Sequence, residues 1–280
     1  MKDTLENAPL EISLALLDQI AAIATEAGEA IMTVYGRDEI NVEHKEDDSP
    51  LTEADLRAHR CISAGLAALT PDVPMLSEES EGITWETRRQ WTRFWLVDPL
   101  DGTKEFINRN GEFTVNIALI EAGEPVLGVV HVPATGVTYL GARALGAWCE
   151  RDGERRAIRV RDIGSPVVLV ASRRHGAEKV DALEQAIIER FGPVERTSMG
   201  SSLKLCLVAA GEADLYPRLA PTCEWDTAAA QAVVDAAGGI VVDTALAPLR
   251  YQKENLLNPH FLVLGAPLAR WDFLADVLRD

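Results

Sequence analysis

The sequence predicts an α/β protein in two parts, an α+β part over residues 1–160 and an α/β part over residues 161–280. Short apolar runs separated by Gly and Pro turns repeat between residues 75 and 149, which is typical of a sheet of neighbouring strands. Beyond residue 166, short apolar runs alternate with helical patterns, which is typical of an α/β unit. At 280 residues the chain is long enough to bury a large core.

Two helices are predicted before the sheet. Residues 12–35 carry apolar side chains at helical spacing and stop at a glycine. Residues 41–49 are polar and are expected to form a loop or a short hairpin. Residues 52–69 predict a second helix, in which Thr52 and Asp55 have the spacing of a capping box.

The remaining elements follow from the same two periodicities, with Gly and Pro marking the turns. The predicted strands are 75–77, 94–97, 114–121, 125–132, 137–140, 147–149, 167–171, 240–242 and 261–264. The predicted helices in the second part are 177–191, 201–210 and 226–237.

Composition and charge limit the classes of function. The formal net charge of −17 argues against general nucleic-acid binding through a basic face, so a phosphate substrate would need local cations. No apolar run approaches the length of a membrane span, and the N-terminus lacks the basic start and cleavage site of a signal peptide. Four scattered cysteines without a CxxC pair predict reduced thiols in a cytosolic compartment.

The turn after the strand at 94–97 carries two carboxylates close together. Asp98 and Asp101 lie three residues apart, and Gly102 permits the tight backbone that follows. Such a turn can aim both carboxylates and the Leu100 carbonyl at one point, and Mg²⁺ prefers these oxygen ligands. Exposed backbone N–H groups beyond the turn can hold a phosphate. On the local pattern alone, an ordinary turn is the alternative.

Other candidate positions also have ordinary interpretations. Glu78 follows a short strand and, taken alone, fits a solvated acidic loop. Asp226 precedes an Ala-rich helix and fits an N-cap, and Asp55 fits a first-turn acid that interacts with the helix dipole. Ser77 and the cysteines have no nearby His at a recognisable spacing, so direct attack by water is favoured over a covalent nucleophile.

Several segments resemble one enzyme family. DPLDGTKEF is similar to the motif of the Mg²⁺-dependent, lithium-sensitive phosphatases related to inositol monophosphatase, and RNGEFTVNIALI resembles their 3'(2'),5'-bisphosphate nucleotidase branch. The resemblance continues through SPLTEAD, LSEES, MGSSLKLCLVAAGEADLYPR, PTCEWDTAAAQAVVDAAGG and LLNPHF, over residues 40–262. It implies a layered αβαβα sandwich and hydrolysis of a phosphate ester by metal-activated water.

The resemblance also implies two Mg²⁺ ions in the active site and allows a third near Asp55. Asp98 would bridge the two ions, and Asp55 and Thr103 would orient the attacking water. The implied metal ligands are four carboxylates and one backbone carbonyl, those of Glu78, Asp98, Leu100, Asp101 and Asp226.

The implied reaction removes the 3'-phosphate of adenosine 3',5'-bisphosphate to give AMP, and also acts on 3'-phosphoadenylyl sulfate in sulfur assimilation. Ser201 and Lys204 lie three apart in a predicted helix and would share one face. The resemblance implies that they contact the phosphate that is not cleaved, whereas a solvated lysine is the alternative. The implied substrate-binding residues are Gly102, Thr103, His175, Ser201, Lys204 and Arg218.

Two other functions stay open. An inositol-1-phosphatase or broad sugar phosphatase of the same fold would share every metal ligand, and only the region of Ser201, Lys204 and Arg218 separates it. A catalytically silent nucleotide and metal sensor would be favoured by loss of Asp55 or Thr103, and both are present. The expected location is the cytoplasm, with loose association with the inner face of the membrane also open, and the expected partner is a small molecule, not a nucleic acid polymer.

Overall fold

The structure is a computed structural model that describes residues 10–44, 50–171 and 177–278. The helices are α1 (Leu14–Tyr35), α2 (Glu53–Leu69), α3 (Trp85–Arg88), α4 (Thr103–Ile107), α5 (Ala177–Phe191), α6 (Leu203–Ala209), α7 (Glu224–Ala236) and α8 (Leu274–Leu278). The strands of the first part are β1 (Val42–His44), β2 (Pro50–Thr52), β3 (Met75–Ser77), β4 (Arg93–Asp101), β5 (Thr114–Glu121), β6 (Glu124–Val132), β7 (Val137–Ala142), β8 (Gly146–Arg151) and β9 (Glu154–Ile158). Those of the second part are β10 (Val167–Val170), β11 (Val194–Thr197), β12 (Leu215–Arg218), β13 (Ile240–Asp243) and β14 (Phe261–Leu264).

These elements form five alternating layers. α1 and α2 pack on one face of a seven-stranded sheet of order β3-β4-β5-β6-β7-β8-β9. α6 and α7 lie between its other face and a five-stranded sheet of order β11-β10-β12-β14-β13. α5 and α8 cover the outer face of that second sheet. The architecture is an αβαβα sandwich, and the predicted fold class is confirmed.

The two N-terminal helices begin at caps that the sequence indicates. The Ser13 hydroxyl accepts a hydrogen bond from the backbone N–H of Leu16 at the start of α1. The predicted capping box at the start of α2 is present, because the Asp55 carboxylate accepts from the backbone N–H of Thr52 over 2.8 Å. These bonds satisfy N–H groups that a helix end leaves without partners.

β4 is longer than predicted and includes the DPLD sequence. Asp98 pairs with Asn116 and Asp101 pairs with Thr114, so β4 contains one residue more than β5 between these pairs. Residues three apart in a regular strand point to opposite faces. The extra residue of this bulge lets both carboxylates turn to the same side.

α6 begins two residues later than predicted. Ser201 has a φ of +44°, in the left-handed region that right-handed helices exclude, and the helix starts at Leu203. The prediction that Ser201 and Lys204 share one helical face is therefore wrong. Ser201 instead lies in the turn that leads into the helix.

α7 contacts the seven-stranded sheet through two glycines that face each other on β6 and β7. Gly128 and Gly141 are register partners. A Cβ on Gly128 would overlap the carbonyl oxygen of Ala229, and one on Gly141 would lie 2.5 Å from the Cα of Val233. The helix backbone therefore lies directly against the sheet, in a position that a larger residue at either site would block.

β9 and β11 were not predicted from the sequence, since Glu154–Ile158 is largely exposed and polar and Val194–Thr197 is short.

None of the helices within the described ranges combines the length and the apolar character needed to cross a membrane. β9 ends and β10 begins on either side of the boundary that we propose between the two parts of the chain.

Candidate active site

The end of β4 and the turn after it present backbone and carboxylate oxygens together. Asp98 is buried, and its Oδ1 accepts from the backbone N–H of Leu100 over 3.0 Å. Gly102 has a φ of +92°, and a Cβ there would lie 3.2 Å from the backbone oxygen of Glu112. Glycine therefore suits the turn for its conformation and for its small size.

Asp55 and Thr103 meet at this turn although 48 residues separate them. The Thr103 hydroxyl lies 3.5 Å from Asp55 Oδ1 and 3.4 Å from the Leu100 carbonyl oxygen. The other oxygen of Asp55 accepts from the hydroxyl of Thr52 over 2.7 Å. Burial raises the pKa of Asp55 to about 6. The structure thus brings together the pair predicted to orient water, and that role stays a prediction.

Asp226 reaches the same region from the second part of the chain. It is the third residue of α7, and its Oδ2 accepts from the backbone N–H of Cys223 over 2.8 Å. Cys223 is the N-cap residue, so the interpretation of Asp226 as the N-cap is wrong. The carboxylate still bonds the helix N-terminus through one oxygen, which leaves the other for a ligand.

The carboxylates of Glu78, Asp98, Asp101 and Asp226 lie close enough for their negative charges to repel one another. The pKa of Asp98 is raised well above its usual range by burial and then by Glu78, Asp101 and Asp226. Burial raises the pKa of Asp101 to about 6, although Lys204 and the Ser202 N–H oppose this shift. Burial and the charge of Asp101 also raise the pKa of Asp226. A cation among them would remove this repulsion and favour the ionised carboxylates.

The chemistry of this donor set fits a hard divalent cation. Asp98, Asp101 and Asp226 each bond backbone N–H groups through one oxygen, and their second oxygens accept no hydrogen bond from any described residue. Within the described ranges, no three Asp, Glu, His or Cys side chains are already arranged around a single metal position. An ion would therefore have to draw these oxygens closer together.

Glu78 lies at the end of β3, next to the end of β4. Its backbone N–H donates to the Val97 carbonyl over 3.0 Å, which places it beside Asp98. The preceding Ser77 hydroxyl lies 2.9 Å from Nδ1 of His59, a contact that no recognisable spacing in the sequence indicates. The sequence hid this pair because His59 lies within α2, 18 residues before Ser77. The Ser77 side chain is buried and is also bonded by the Glu79 N–H, so it supports the loop and is not exposed to a substrate.

A cavity of about 370 Å³ opens beside the carboxylates. Lys204 lies in its wall with 8% of its surface exposed, and its Nζ donates to the carbonyls of Ser201 over 2.7 Å and Met199 over 3.2 Å. Burial lowers the pKa of Lys204 to about 8, whereas Asp101 opposes that shift. The predicted residues that line the cavity are Asp101, Gly102, Ser201, Lys204, Arg218 and Asp226.

Arg218 and His175 have different outcomes. Arg218 donates from Nη2 to the Pro221 carbonyl over 3.1 Å, and its buried Nε has no hydrogen-bond partner in the described structure. His175 lies outside the described residues. The substrate contacts of both residues stay predictions.

The sequence interpretation missed residues that hold the turn before α6. Ser202 donates its hydroxyl to Oδ1 of Asn116 over 2.9 Å and lies 2.9 Å from the Thr114 hydroxyl. Glu112 accepts from the backbone N–H of Gly200 over 2.7 Å. Asn116 could have been found, because it is a polar residue within an otherwise apolar strand.

The five-layer fold and the cavity lined by Asp101 and Asp226 agree with what the family comparison finds. The family described as the inositol monophosphatase family matches residues 15–270, and the chain belongs to it. The sequence resemblance to this family is therefore confirmed.

Two curated relatives carry the name of the nucleotidase branch. The chain is 53% identical over 250 residues to the 3'(2'),5'-bisphosphate nucleotidase CysQ of Escherichia coli K12, over 89% of this chain and 99% of the relative. The protein of that name from Haemophilus influenzae is 37% identical over 266 residues, over 94% of this chain and 97% of the relative.

Solved structures give the same picture of the fold. CysQ from Bacteroides thetaiotaomicron superposes with a TM-score of 0.79 at 42% identity, over 90% of this chain and 99% of the other. An IMPase from Thermotoga maritima superposes with a TM-score of 0.75 at 26% identity, over 94% of this chain and 96% of the other.

Proposed function

We propose that this chain is a 3'(2'),5'-bisphosphate nucleotidase that removes the 3'-phosphate of adenosine 3',5'-bisphosphate to give AMP and phosphate. The same reaction on 3'-phosphoadenylyl sulfate places the proposed enzyme in sulfur assimilation. The observation that carries this proposal is that one cavity combines a buried ammonium, that of Lys204, with the carboxylates of Asp101 and Asp226. A substrate with two phosphates needs a metal site for one and a separate cation for the other.

The proposed cofactor is Mg²⁺, with two ions in the active site. When bound, the ions would activate a water molecule and neutralise the charge on the leaving oxygen. Glu78, Asp98 and the Leu100 carbonyl would hold one ion. Asp98, Asp101 and Asp226 would hold the other, through the carboxylate oxygens that accept no hydrogen bond.

The residues of the chain would orient the reacting groups. Thr103 lies within hydrogen-bonding distance of Asp55, so their pair can hold a water molecule in line with the phosphorus atom. Lys204 would bind the phosphate that stays on the product, and Arg218 has a buried Nε that can turn to the same anion. Because the chain has a formal charge of −17, these local cations would supply the attraction that the whole surface does not.

The proposed location is the cytoplasm. The four cysteines of the chain are all free thiols, which suits a reducing compartment. Fractionation of cells that express the chain would test association with the inner face of the membrane.

Phosphate release from three substrates tests the proposal. Adenosine 3',5'-bisphosphate, inositol 1-phosphate and fructose 1,6-bisphosphate would be compared with Mg²⁺, using wild type, Lys204→Ala and Lys179→Ala. Lys179 is an exposed lysine on α5 and controls for the loss of one positive charge. We expect the nucleotide to be the preferred substrate of wild type.

The two lysine variants separate the candidate functions. Lys204→Ala should lose about 10- to 150-fold more kcat/KM on the nucleotide than on inositol 1-phosphate, since a charge-assisted hydrogen bond contributes roughly 1.5–3 kcal/mol. Any loss common to both substrates would report the contacts of Lys204 with the Ser201 and Met199 carbonyls. Equal losses, or faster wild-type turnover of inositol 1-phosphate, would favour the sugar phosphatase instead.

A further inference from the structure

Glu224 is a buried carboxylate two residues before Asp226. None of its surface is exposed, and it accepts from the Lys253 ammonium over 2.6 Å. It also accepts from the backbone N–H groups of Gln252 over 2.8 Å and of Lys253 over 2.9 Å. The first turn of α7 is thereby bonded to a distant segment of the chain.

The rest of that segment adds further bonds to the same turn. We define the clasp as residues 252–258. The Asn258 amide donates to the Cys223 carbonyl over 2.7 Å and to the Thr227 hydroxyl over 3.0 Å. The backbone N–H of Glu224 donates to the Leu256 carbonyl over 2.9 Å. The clasp therefore holds the residues before and after Asp226 on both sides of the helix start.

The clasp also contacts the segment that follows Glu78. Arg88 on α3 is buried and donates to the carbonyls of Lys253 over 3.1 Å and Glu254 over 3.2 Å. The side chain of Gln252 donates back to the Arg88 carbonyl over 2.6 Å. α3 in the first part of the chain and the first turn of α7 in the second part are thus joined to one loop.

Stability alone is a weak explanation for the ion pair of Glu224 and Lys253. Burying two charges costs desolvation free energy, and apolar replacements of buried ion pairs are often as stable as the pair. The ion pair of Glu224 and Lys253, together with the two backbone hydrogen bonds to Glu224, fixes the position of the first turn of α7. Asp226 needs such a fixed position because its carboxylate is bonded to Cys223, whose carbonyl the clasp holds.

We propose that Glu224 and Lys253 are positioning residues that fix the start of α7 so that Asp226 is aimed at a divalent cation. The inference rests on the proposed metal-dependent function and extends it to residues that touch neither metal nor substrate. On this proposal the buried ion pair of Glu224 and Lys253 orients a metal ligand in addition to stabilising the fold.

The chain offers a matched control for this distinction. Asp214 is also a buried carboxylate, and it pairs with a partly exposed cation, Arg161, over 2.7 Å. It likewise accepts from two backbone N–H groups, those of Gly164 and Val168. Asp214 lies at the start of β12 and contacts none of the candidate metal ligands. Glu224→Gln and Asp214→Asn therefore make the same chemical change in two places.

The experiment measures Mn²⁺ binding to the full chain without substrate, by electron paramagnetic resonance of the free ion, together with Tm. Both variants should lower Tm. Glu224→Gln should weaken Mn²⁺ binding by about 10-fold, the scale seen when residues that support metal ligands are changed. Asp214→Asn should bind Mn²⁺ as wild type does. The double variant Glu224→Gln with Lys253→Met removes both charges and should weaken binding similarly if the single variant does not fold.

Each outcome decides a separate point. Wild-type Mn²⁺ affinity in a folded Glu224→Gln or double variant would overturn the positioning role and leave the proposed function intact. Equal weakening by Asp214→Asn would also overturn it, because the effect would then follow from general destabilisation. Absence of Mn²⁺ binding by wild type would overturn the metal-dependent function itself, and the inference with it.

Discussion

The backbone N–H of Ser202 donates to Oδ2 of Asp101 over 2.5 Å. This bond joins the turn before α6 to the end of β4, across 101 residues of sequence. The Ser202 hydroxyl continues the connection to Asn116, whose own amide lies 3.5 Å from the same oxygen of Asp101. The two parts of the chain therefore meet in one hydrogen-bond network at a candidate metal ligand.

The first prediction concerns this network. Asn116→Ala should lower the free energy of unfolding by about 1–3 kcal/mol, because it removes the Asn116 acceptor and leaves the buried Ser202 hydroxyl with only the Thr114 hydroxyl as a partner. Ser202→Ala and the double variant complete a cycle, measured by urea unfolding. A coupling of about 0.5 kcal/mol or more is expected for residues in contact. Additive losses would mean that the two side chains act independently.

The second prediction concerns Asp98. Asp98→Asn should reduce turnover by about 10³-fold or more, since it would weaken both proposed ion sites and remove several kcal/mol of transition-state stabilisation. The measurement is kcat at saturating Mg²⁺, with circular dichroism to verify folding. Turnover close to that of wild type would refute the bridging role.

The third prediction concerns lithium. Li⁺ is close in size to Mg²⁺ but carries half its charge, so at the site of Asp98, Asp101 and Asp226 it would stabilise the leaving oxygen poorly. Activity with Mg²⁺ should therefore fall in roughly tens of millimolar Li⁺, a scale suited to a weakly held ion. Equal concentrations of K⁺ control for ionic strength. Full activity in Li⁺ would argue against the proposed mechanism.

The fourth prediction concerns pH and His131. His131 is 4% exposed, its Nδ1 lies 2.9 Å from the Thr138 hydroxyl, and burial lowers its pKa to about 4. The unfolded chain binds a proton near its ordinary value of 6.5, so the unfolded state holds more protons between these two values. Stability from neutral His131 is thus complete above pH 6.5 and is lost as pH falls towards 4.

The loss should reach about 3 kcal/mol, because each pKa unit corresponds to about 1.4 kcal/mol. Urea unfolding at pH 7 and pH 4.5 measures it, with His131→Gln as the comparison. The variant should be less sensitive to acid than wild type over this interval. Parallel losses in the two proteins would assign the acid sensitivity to other groups.

Local chemistry explains most of what the sequence predicted. α1 and the capping box of α2 depend on neighbours within a few residues, so pattern and cap residues were sufficient. The local turn pattern singled out Asp98 and Asp101, and the resemblance to a family added Asp226 as a candidate ligand. The carboxylates of Glu78, Asp98, Asp101 and Asp226 lie near enough for their charges to interact, and their roles as metal ligands stay predictions.

Tertiary contacts explain what the sequence did not predict. Ser201 leaves the helical region because its neighbours Gly200 and Ser202 are bonded to Glu112 and Asp101, which are distant in sequence. The approach of His59 to Ser77 depends in the same way on how α2 packs beside β3. No local pattern encodes such contacts, since both partners look ordinary in their own segments.

The contact of α7 with Gly128 and Gly141 holds the helix that carries Asp226 directly against the seven-stranded sheet. Because helix backbone rests on strand backbone there, the spacing between Asp226 and the acids of β4 does not depend on the size of an intervening side chain. Substitutions elsewhere in the core can then change stability while the distance across the active site is kept. The two glycines therefore set the distance between the α7 backbone and the sheet.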